Sequence, residues 1–186
     1  MAINALSSGA CCVVAYVRGD DLWIAGCGDC RAVLGTLHEG ALVAVGLSTD
    51  HKVDTPQEQE RIEAAGGFVR ASYVEPDDPN YTAPAKLYRD AEFRRGPGLC
   101  IARTFGDLDA KSIGVIATPT MCNHSILVDD TYLVLASDGV WEFLPNESVI
   151  NMVHTHFLGG QSAQQARPSI VATDVTHARY EHVAST

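Results

Sequence analysis

The sequence has no long apolar run and has few basic residues. Among its 186 residues, 13 are Lys or Arg and 23 are Asp or Glu, which gives a net charge of -10. No window approaches the roughly 20 apolar residues that a membrane-spanning helix needs. The shortage of Lys and Arg argues against nucleic acid as the main partner, because binding to a phosphate backbone requires clustered positive charge.

Signals for secretion and for a disulfide framework are also missing. Met1 to Ala15 has no basic segment of the kind that opens a secretory leader, so we expect an intracellular protein, in the cytoplasm or the nucleus. Six cysteines are present, but a chain of this length with 46% hydrophobic residues does not need disulfides, and free, mostly buried thiols are expected. Cys27 and Cys30 have the spacing of a redox pair or half a zinc site. Without a second such pair, this is the weaker alternative.

Apolar segments separated by turn residues predict a β-meander in the first fifty residues and three further strands later in the chain. These strand candidates are 10–16, 22–27, 31–34, 41–47, 114–117, 122–127 and 132–136.

Two helices are predicted. The first runs from Pro56 to about Ala65, with Thr55 as the N-cap and Gly66-Gly67 as the stop, and its many charges indicate a surface position. The second spans Asn146 to Phe157 and carries an amphipathic pattern.

Two stretches lack a periodic pattern. Residues 72–98 are rich in Pro, Asp, Asn and Arg and are expected to form a long irregular insert, a kind of loop that often contacts ligands. Residues 158–186 form a tail without a clear pattern. No linker marks a boundary, so residues 1–186 are treated as one domain.

Two carboxylates stand where strands end. Asp29 lies between two strand candidates, and Asp138 follows a third in the turn Ser137-Asp138-Gly139. Carboxylates held at strand ends suit hard cations such as Mg²⁺ or Mn²⁺. Each signal alone is more typical of a simple turn.

Five segments in a fixed order are more specific than these single residues. They are Gly28-Asp29-Cys30-Arg31-Ala32-Val33-Leu34, Asp50-His51-Lys52, Glu60-Arg61-Ile62 with Gly66-Gly67, Ala102-Arg103-Thr104-Phe105-Gly106-Asp107, and Ser137-Asp138-Gly139-Val140-Trp141-Glu142. Their order and spacing resemble the PPM-type (2C class) metal-dependent protein serine/threonine phosphatases, most strongly over residues 8–157.

The resemblance implies an α+β fold, a four-layer α/β-β/α sandwich in which two antiparallel sheets face one another and helices flank them, here incomplete. It also implies two Mg²⁺ or Mn²⁺ ions and hydrolysis of phosphoserine or phosphothreonine in a phosphoprotein substrate by a metal-activated water.

Residue roles follow by position in the motifs. Asp138 matches the family's core metal ligand and is the candidate catalytic residue, while Asp50 and Glu142 match ligands of a weaker third metal. Asp29 and Asp107 are expected to shape turns.

Three more motif residues have structural expectations. Arg103 is expected to pair with a buried carboxylate, His51 to be a solvated turn residue, and Trp141 to belong to the core.

The sequence departs from the family in its ligand set. Met1 to Ser8 contains nothing like the DGHGG turn or the phosphate-binding Arg that precede these motifs in the family, and Asp174 is a poor match to a further core ligand. Because each Mg²⁺ needs several oxygen ligands, we expect this chain to be a fragment that is weakly active or inactive. The alternative is a non-catalytic pseudophosphatase that acts as a binding or regulatory module; the sequence does not indicate the oligomeric state.

Overall fold

The chain folds into short strands and helices of the α+β class. The computed structural model describes residues 4–160. The strands are β1 Gly9–Ala10, β2 Cys12–Arg18, β3 Asp21–Cys27, β4 Arg31–His38, β5 Ala41–Gly46, β6 Phe68–Arg70, β7 Tyr73–Glu75, β8 Asp78–Ala83, β9 Lys86–Tyr88, β10 Pro97–Leu99, β11 Phe105–Gly106, β12 Thr120–Ser125 and β13 Asp130–Ala136. The helices are α1 Pro56–Ala64, α2 Leu108–Lys111, α3 Asp138–Trp141 and α4 Asn146–Leu158.

The longer strands form two three-stranded sheets, with the orders β12-β3-β2 and β13-β4-β5. In the second sheet β4 pairs antiparallel with both neighbours, so that Leu34 lies opposite Val45 on one side and Leu133 on the other. Shorter strands pair as β10-β9-β6, β7-β8 and β1-β11.

The described residues divide into two compact units. The first unit comprises the residues up to Cys12, Gly26–Asp29 and Asp50–Thr120, and the second comprises Val13–Ala25, Cys30–Thr49 and the residues from Met121 onward.

Apolar packing organises the second unit into layers. Leu22 and Ile24 of β3 pack against Ala32 and Leu34 of β4, which joins the two sheets face to face. On the other side of β4, Val33 packs with buried side chains of α3 and α4. A sheet, a second sheet and a helical layer therefore follow one another in this unit.

The first unit has its own core, formed around α1. Ile62 of α1 is fully buried and packs with Leu87 of β9, Ala110 of α2 and Val115. Gly67, which ends the turn after α1, allows this approach, because a Cβ there would lie 2.8 Å from the Ile113 carbonyl oxygen. The Gly66-Gly67 stop thus brings β6 back onto the helix.

Most of the element predictions are confirmed. The four strands of the meander, the last strand and both helices lie within a few residues of their expected positions. The second of the later strands, β12, begins two residues earlier than the pattern indicated.

Three element predictions are wrong. Residues 72–98 are not irregular, since they contain β7, β8, β9 and β10. Residues 114–117 form no strand and contribute only an isolated bridge between Ile116 and Arg103. Helix α1 is not purely a surface helix, because Glu58 and Ile62 are buried. The tail prediction falls mostly on residues 161–186, outside the described residues.

Among residues 4–160, no helix has the length and apolar character required to cross a membrane.

Candidate functional site

A buried carboxylate of α1 forms the centre of the polar structure in the first unit. Glu58, 3% exposed, accepts hydrogen bonds from Arg61 at 2.7 Å and from Arg103 at 2.6 Å. Burial alone would raise the pKa of Glu58, but the hydrogen bonds from Arg103 and Arg61 outweigh it and lower the pKa to about 2. Glu58 is therefore an ionised, doubly paired residue.

The two guanidinium groups extend these contacts to the backbone of other segments. Arg61 donates to the carbonyl oxygens of Gly114 at 2.8 Å and Ala102 at 3.0 Å. Arg103 donates to the carbonyl oxygen of Thr118 at 2.9 Å and to Thr120 Oγ1 at 3.3 Å. Helix α1, the segment around Arg103 and residues 114–120 are held together by this one cluster.

His51, beside the candidate ligand Asp50, is held on both sides of its ring. Its Nε2 lies 2.7 Å from Thr120 Oγ1, and its Nδ1 lies 3.2 Å from the Gly28 backbone nitrogen. Burial lowers the pKa of His51, and the nearby Arg103 charge lowers it further. The turn that carries Asp50 is thereby fixed to the turn at Gly28.

Asp29 is buried in the turn at Gly28 and pairs with Lys52. Its Oδ2 accepts a hydrogen bond from Lys52 Nζ at 2.6 Å, and its Oδ1 accepts one from the Cys11 thiol at 3.2 Å. Because its side chain is 8% exposed and both oxygens have partners, Asp29 connects segments of the first unit. This agrees with the structural role expected for it.

The segment after Arg103 is closed by local contacts. Thr104 is fully buried, and its Oγ1 lies 3.0 Å from Asp107 Oδ2. The Asp107 backbone N–H donates to the carbonyl oxygen of Ser8 at 2.9 Å. Gly9 allows this packing, because a Cβ there would lie 1.7 Å from Asp107 Oδ2. Asp107 thus shapes a turn, as expected.

Asp138 and Glu142 lie in the second unit, one turn of α3 apart. The Glu142 backbone N–H donates to the Asp138 carbonyl oxygen at 2.8 Å, and Asp138 Oδ1 accepts from the Gly139 N–H at 2.9 Å. Both side chains are exposed. Trp141 between them is buried, and its indole N–H contacts the carbonyl oxygens of Ala136 at 2.9 Å and Arg31 at 3.1 Å.

The described ligand positions do not by themselves fit a metal ion. Asp138 and Glu142 belong to the second unit and Asp50 to the first. Among residues 4–160, no group of three or more His, Cys, Asp or Glu side chains is placed so that it could hold a metal. Within the second unit, Asp138 and Glu142 alone therefore do not supply the several oxygen ligands that a Mg²⁺ or Mn²⁺ ion needs.

Of the three motif residues with structural expectations, two agree with the structure and one does not. Arg103 pairs with a buried carboxylate and Trp141 is buried, so these two expectations are confirmed. His51 was expected to be solvated, which is wrong, because it is 3% exposed and bonded at both nitrogens.

The cysteines form no disulfide. Cys27 is the only one of the six that is buried, so the expectation that most would be buried is wrong.

Glu58 was missed by sequence reasoning. The available signal was its position three residues before Arg61, where two helical side chains of opposite charge can meet.

Comparison with known proteins agrees with this architecture. The family model for protein phosphatase 2C matches residues 1–180. A probable protein phosphatase 2C 72 of Arabidopsis thaliana is 43% identical over 81% of this chain and 43% of its own length. A probable protein phosphatase 2C 73 of Oryza sativa subsp. japonica is 39% identical over 92% of this chain and 39% of its own length. The chain thus spans less than half of these curated relatives.

Solved structures share the fold. A serine-threonine phosphatase 2C from Toxoplasma gondii superposes with a TM-score of 0.75 at 23% identity, covering 90% of this chain and 54% of that one. A second Toxoplasma gondii phosphatase gives a TM-score of 0.61 at 26% identity, covering 83% of this chain and 43% of that one. The expected fold class is confirmed, and the chain belongs to the protein phosphatase 2C family.

Proposed function

We propose that this chain is part of a protein serine/threonine phosphatase that removes phosphate from phosphoserine or phosphothreonine in protein substrates. The observation that supports this most strongly is that three family motifs meet in one buried polar cluster. Arg61 and Arg103, from two of the motifs, both bind Glu58, and Thr120 connects Arg103 to His51 of the third motif. This joining of three motifs in one buried cluster of the first unit supports the proposal.

The cofactors under this proposal are Mg²⁺ or Mn²⁺, with Asp138 as the candidate catalytic and metal-binding residue and Asp50 and Glu142 as further ligands. A metal supplies an activated water and neutralises phosphate charge when it is bound. Since the described residues assemble no such ligand set, the proposal for this chain alone is weak activity or none.

The proposed partners and compartment follow from charge and class. A net charge of -10 disfavours nucleic acid as a partner, and the proposed substrate is a phosphoprotein in the cytoplasm or nucleus.

The test measures Mn²⁺ binding by calorimetry and hydrolysis of a phosphothreonine peptide with and without millimolar Mn²⁺. The variant is Asp138→Ala, and the matched control is Asp129→Ala, an exposed Asp of the same unit. Mn²⁺ binding that is lost in Asp138→Ala and kept in Asp129→Ala supports the phosphatase proposal. Rapid turnover by the unaltered chain would contradict the expectation of weak activity.

A second candidate function is a non-catalytic binding or regulatory module. It is favoured by the finding that residues 4–160 contain no group of three or more His, Cys, Asp or Glu side chains that could hold a metal ion. This candidate predicts no measurable Mn²⁺ binding and no turnover, with phosphopeptide binding retained. Mn²⁺ binding that depends on Asp138 would rule it out.

A further inference from the structure

The loop of residues 89–95, here called the arginine loop, is a closed and internally bonded structure. The Arg89 N–H donates to the Arg95 carbonyl oxygen at 3.0 Å, which brings the two ends of the loop together. Asp90 Oδ1 accepts the backbone N–H groups of Arg94 at 2.8 Å and Arg95 at 3.3 Å. The Phe93 ring packs edge-on against Tyr88, with centroids 5.5 Å apart. The loop is therefore preorganised by its own side chains.

This loop directs two adjacent guanidinium groups into solvent. Arg94 is exposed, and the Arg95 side chain is 82% exposed, with its Nε 3.9 Å from Asp90 Oδ2. Arg89, in contrast, is bound to Asp109 at 2.9 Å. In a chain of net charge -10, two adjacent exposed arginines on this bonded loop provide local positive charge suited to planar, two-point contacts with carboxylates.

The arginine loop is connected by a short segment of chain to the backbone pairing beside Asp50, a candidate metal ligand. Arg95 lies five positions before Cys100, whose carbonyl oxygen accepts the Val53 N–H at 3.1 Å. The Ala102 N–H then donates to the His51 carbonyl oxygen at 2.7 Å, beside Asp50. Five extended residues span at most about 18 Å, so the Cα atom of Arg95 lies within about 18 Å of the Cα atom of Cys100.

We infer that the arginine loop binds acidic residues that flank the phosphorylated residue of a protein substrate. This inference rests on the proposed function. A substrate strand advances about 3.3 Å per residue, so a span of about 18 Å corresponds to about five positions, and we place the acidic residues within that range of the phosphoresidue. Glu92 is the exposed carboxylate of the same loop and opposes such binding.

The experiment measures fluorescence anisotropy of labelled phosphothreonine peptides in EDTA, so that neither metal nor turnover contributes. One peptide carries Glu within five positions on both sides of the phosphothreonine, and the other carries Gln. We expect the unaltered chain to bind the Glu peptide at least about fivefold more tightly. The difference should shrink with added salt.

The variant is Arg94→Gln/Arg95→Gln, and the control is Arg18→Glu at the end of β2. Both changes lower the net charge by two, and all three arginines are exposed. We expect the double Gln variant to lose the preference for the Glu peptide and Arg18→Glu to keep that preference. Arg94→Lys/Arg95→Lys should keep part of the preference, and Glu92→Gln should increase it. Circular dichroism confirms that each variant is folded.

Equal binding of the two peptides by the unaltered chain would overturn the inference. An equal loss in Arg18→Glu would do the same, because it would show a general effect of net charge. Since the readout requires no metal and no hydrolysis, the inference can fail while the phosphatase proposal stands, and the reverse.

Discussion

Glu58→Gln tests whether the buried ion pairs of α1 stabilise the first unit. The pKa of Glu58 falls from an ordinary 4.5 to about 2 because Arg103 and Arg61 outweigh the effect of burial. A difference of this size corresponds to about 3 kcal/mol of unfolding free energy at neutral pH. In Glu58→Gln, Arg103 and Arg61 keep their hydrogen bonds to the carbonyl oxygens of Thr118 and Gly114. We therefore expect the unfolding free energy to fall by about 3 kcal/mol, which is the lower end of the range for breaking a buried ion pair.

The pH dependence gives the sign of the effect. A carboxyl group with a lowered pKa in the folded state contributes its full stability above pH 4.5 and loses it as the pH falls toward 2. The gap between the unaltered chain and Glu58→Gln should be about 3 kcal/mol at pH 7 and about half of that at pH 3.

Urea unfolding followed by circular dichroism between pH 7 and pH 3 measures this gap. The control is Glu60→Gln, an exposed neighbour on α1, which should change the unfolding free energy by less than about 0.5 kcal/mol. A gap below about 1 kcal/mol at pH 7, or one that stays constant down to pH 3, would refute the reasoning.

Three further changes test local features. Gly114→Ala should lower the unfolding free energy by more than about 2 kcal/mol, because φ is +97° and the new Cβ would lie 2.7 Å from Ile62 Cα. The control Gly40→Ala, at φ +80° in open space, should lower it by about 1 kcal/mol. Equal losses in thermal melts would contradict this expectation. Trp141→Phe should lower the unfolding free energy by about 1 to 3 kcal/mol, because the Ala136 and Arg31 carbonyl oxygens lose their shared donor, and an unchanged melting temperature would argue against that role. Burial raises the pKa of the Cys27 thiol, so alkylation of Cys27 at pH 8 should be much slower than alkylation of the partly exposed Cys122. Equal alkylation rates in peptide mapping would contradict this expectation.

Local signals in the sequence were sufficient to predict α1 but not its burial. Thr55, Pro56 and Gly66-Gly67 define the ends of the helix within its own segment. The burial of Glu58 depends on Arg103, which lies 45 residues further along the chain. A charged residue on a short helix is typical of a surface position. The pairing of Glu58 with Arg103 offsets the free-energy cost of burying its charge.

The insert was mispredicted because proline obscured its strands. Pro79 lies within β8, and its missing N–H would interrupt a central strand. Among residues 4–160, β8 pairs only with β7 in a two-stranded sheet, so each strand has an open side where proline is tolerated. The strands in this region are also short, so their alternation of polar and apolar residues is weak.

The candidate site separates into a part that sequence motifs describe well and a part that they do not. Glu58, His51 and Asp29 are held by contacts to other protein groups, and none of these contacts requires a metal. A metal site instead requires several carboxylates to converge, which the exposed Asp138 and Glu142 do not achieve within the described residues. For this reason the motifs identify the family directly, while activity has to be tested through Asp138 and Mn²⁺.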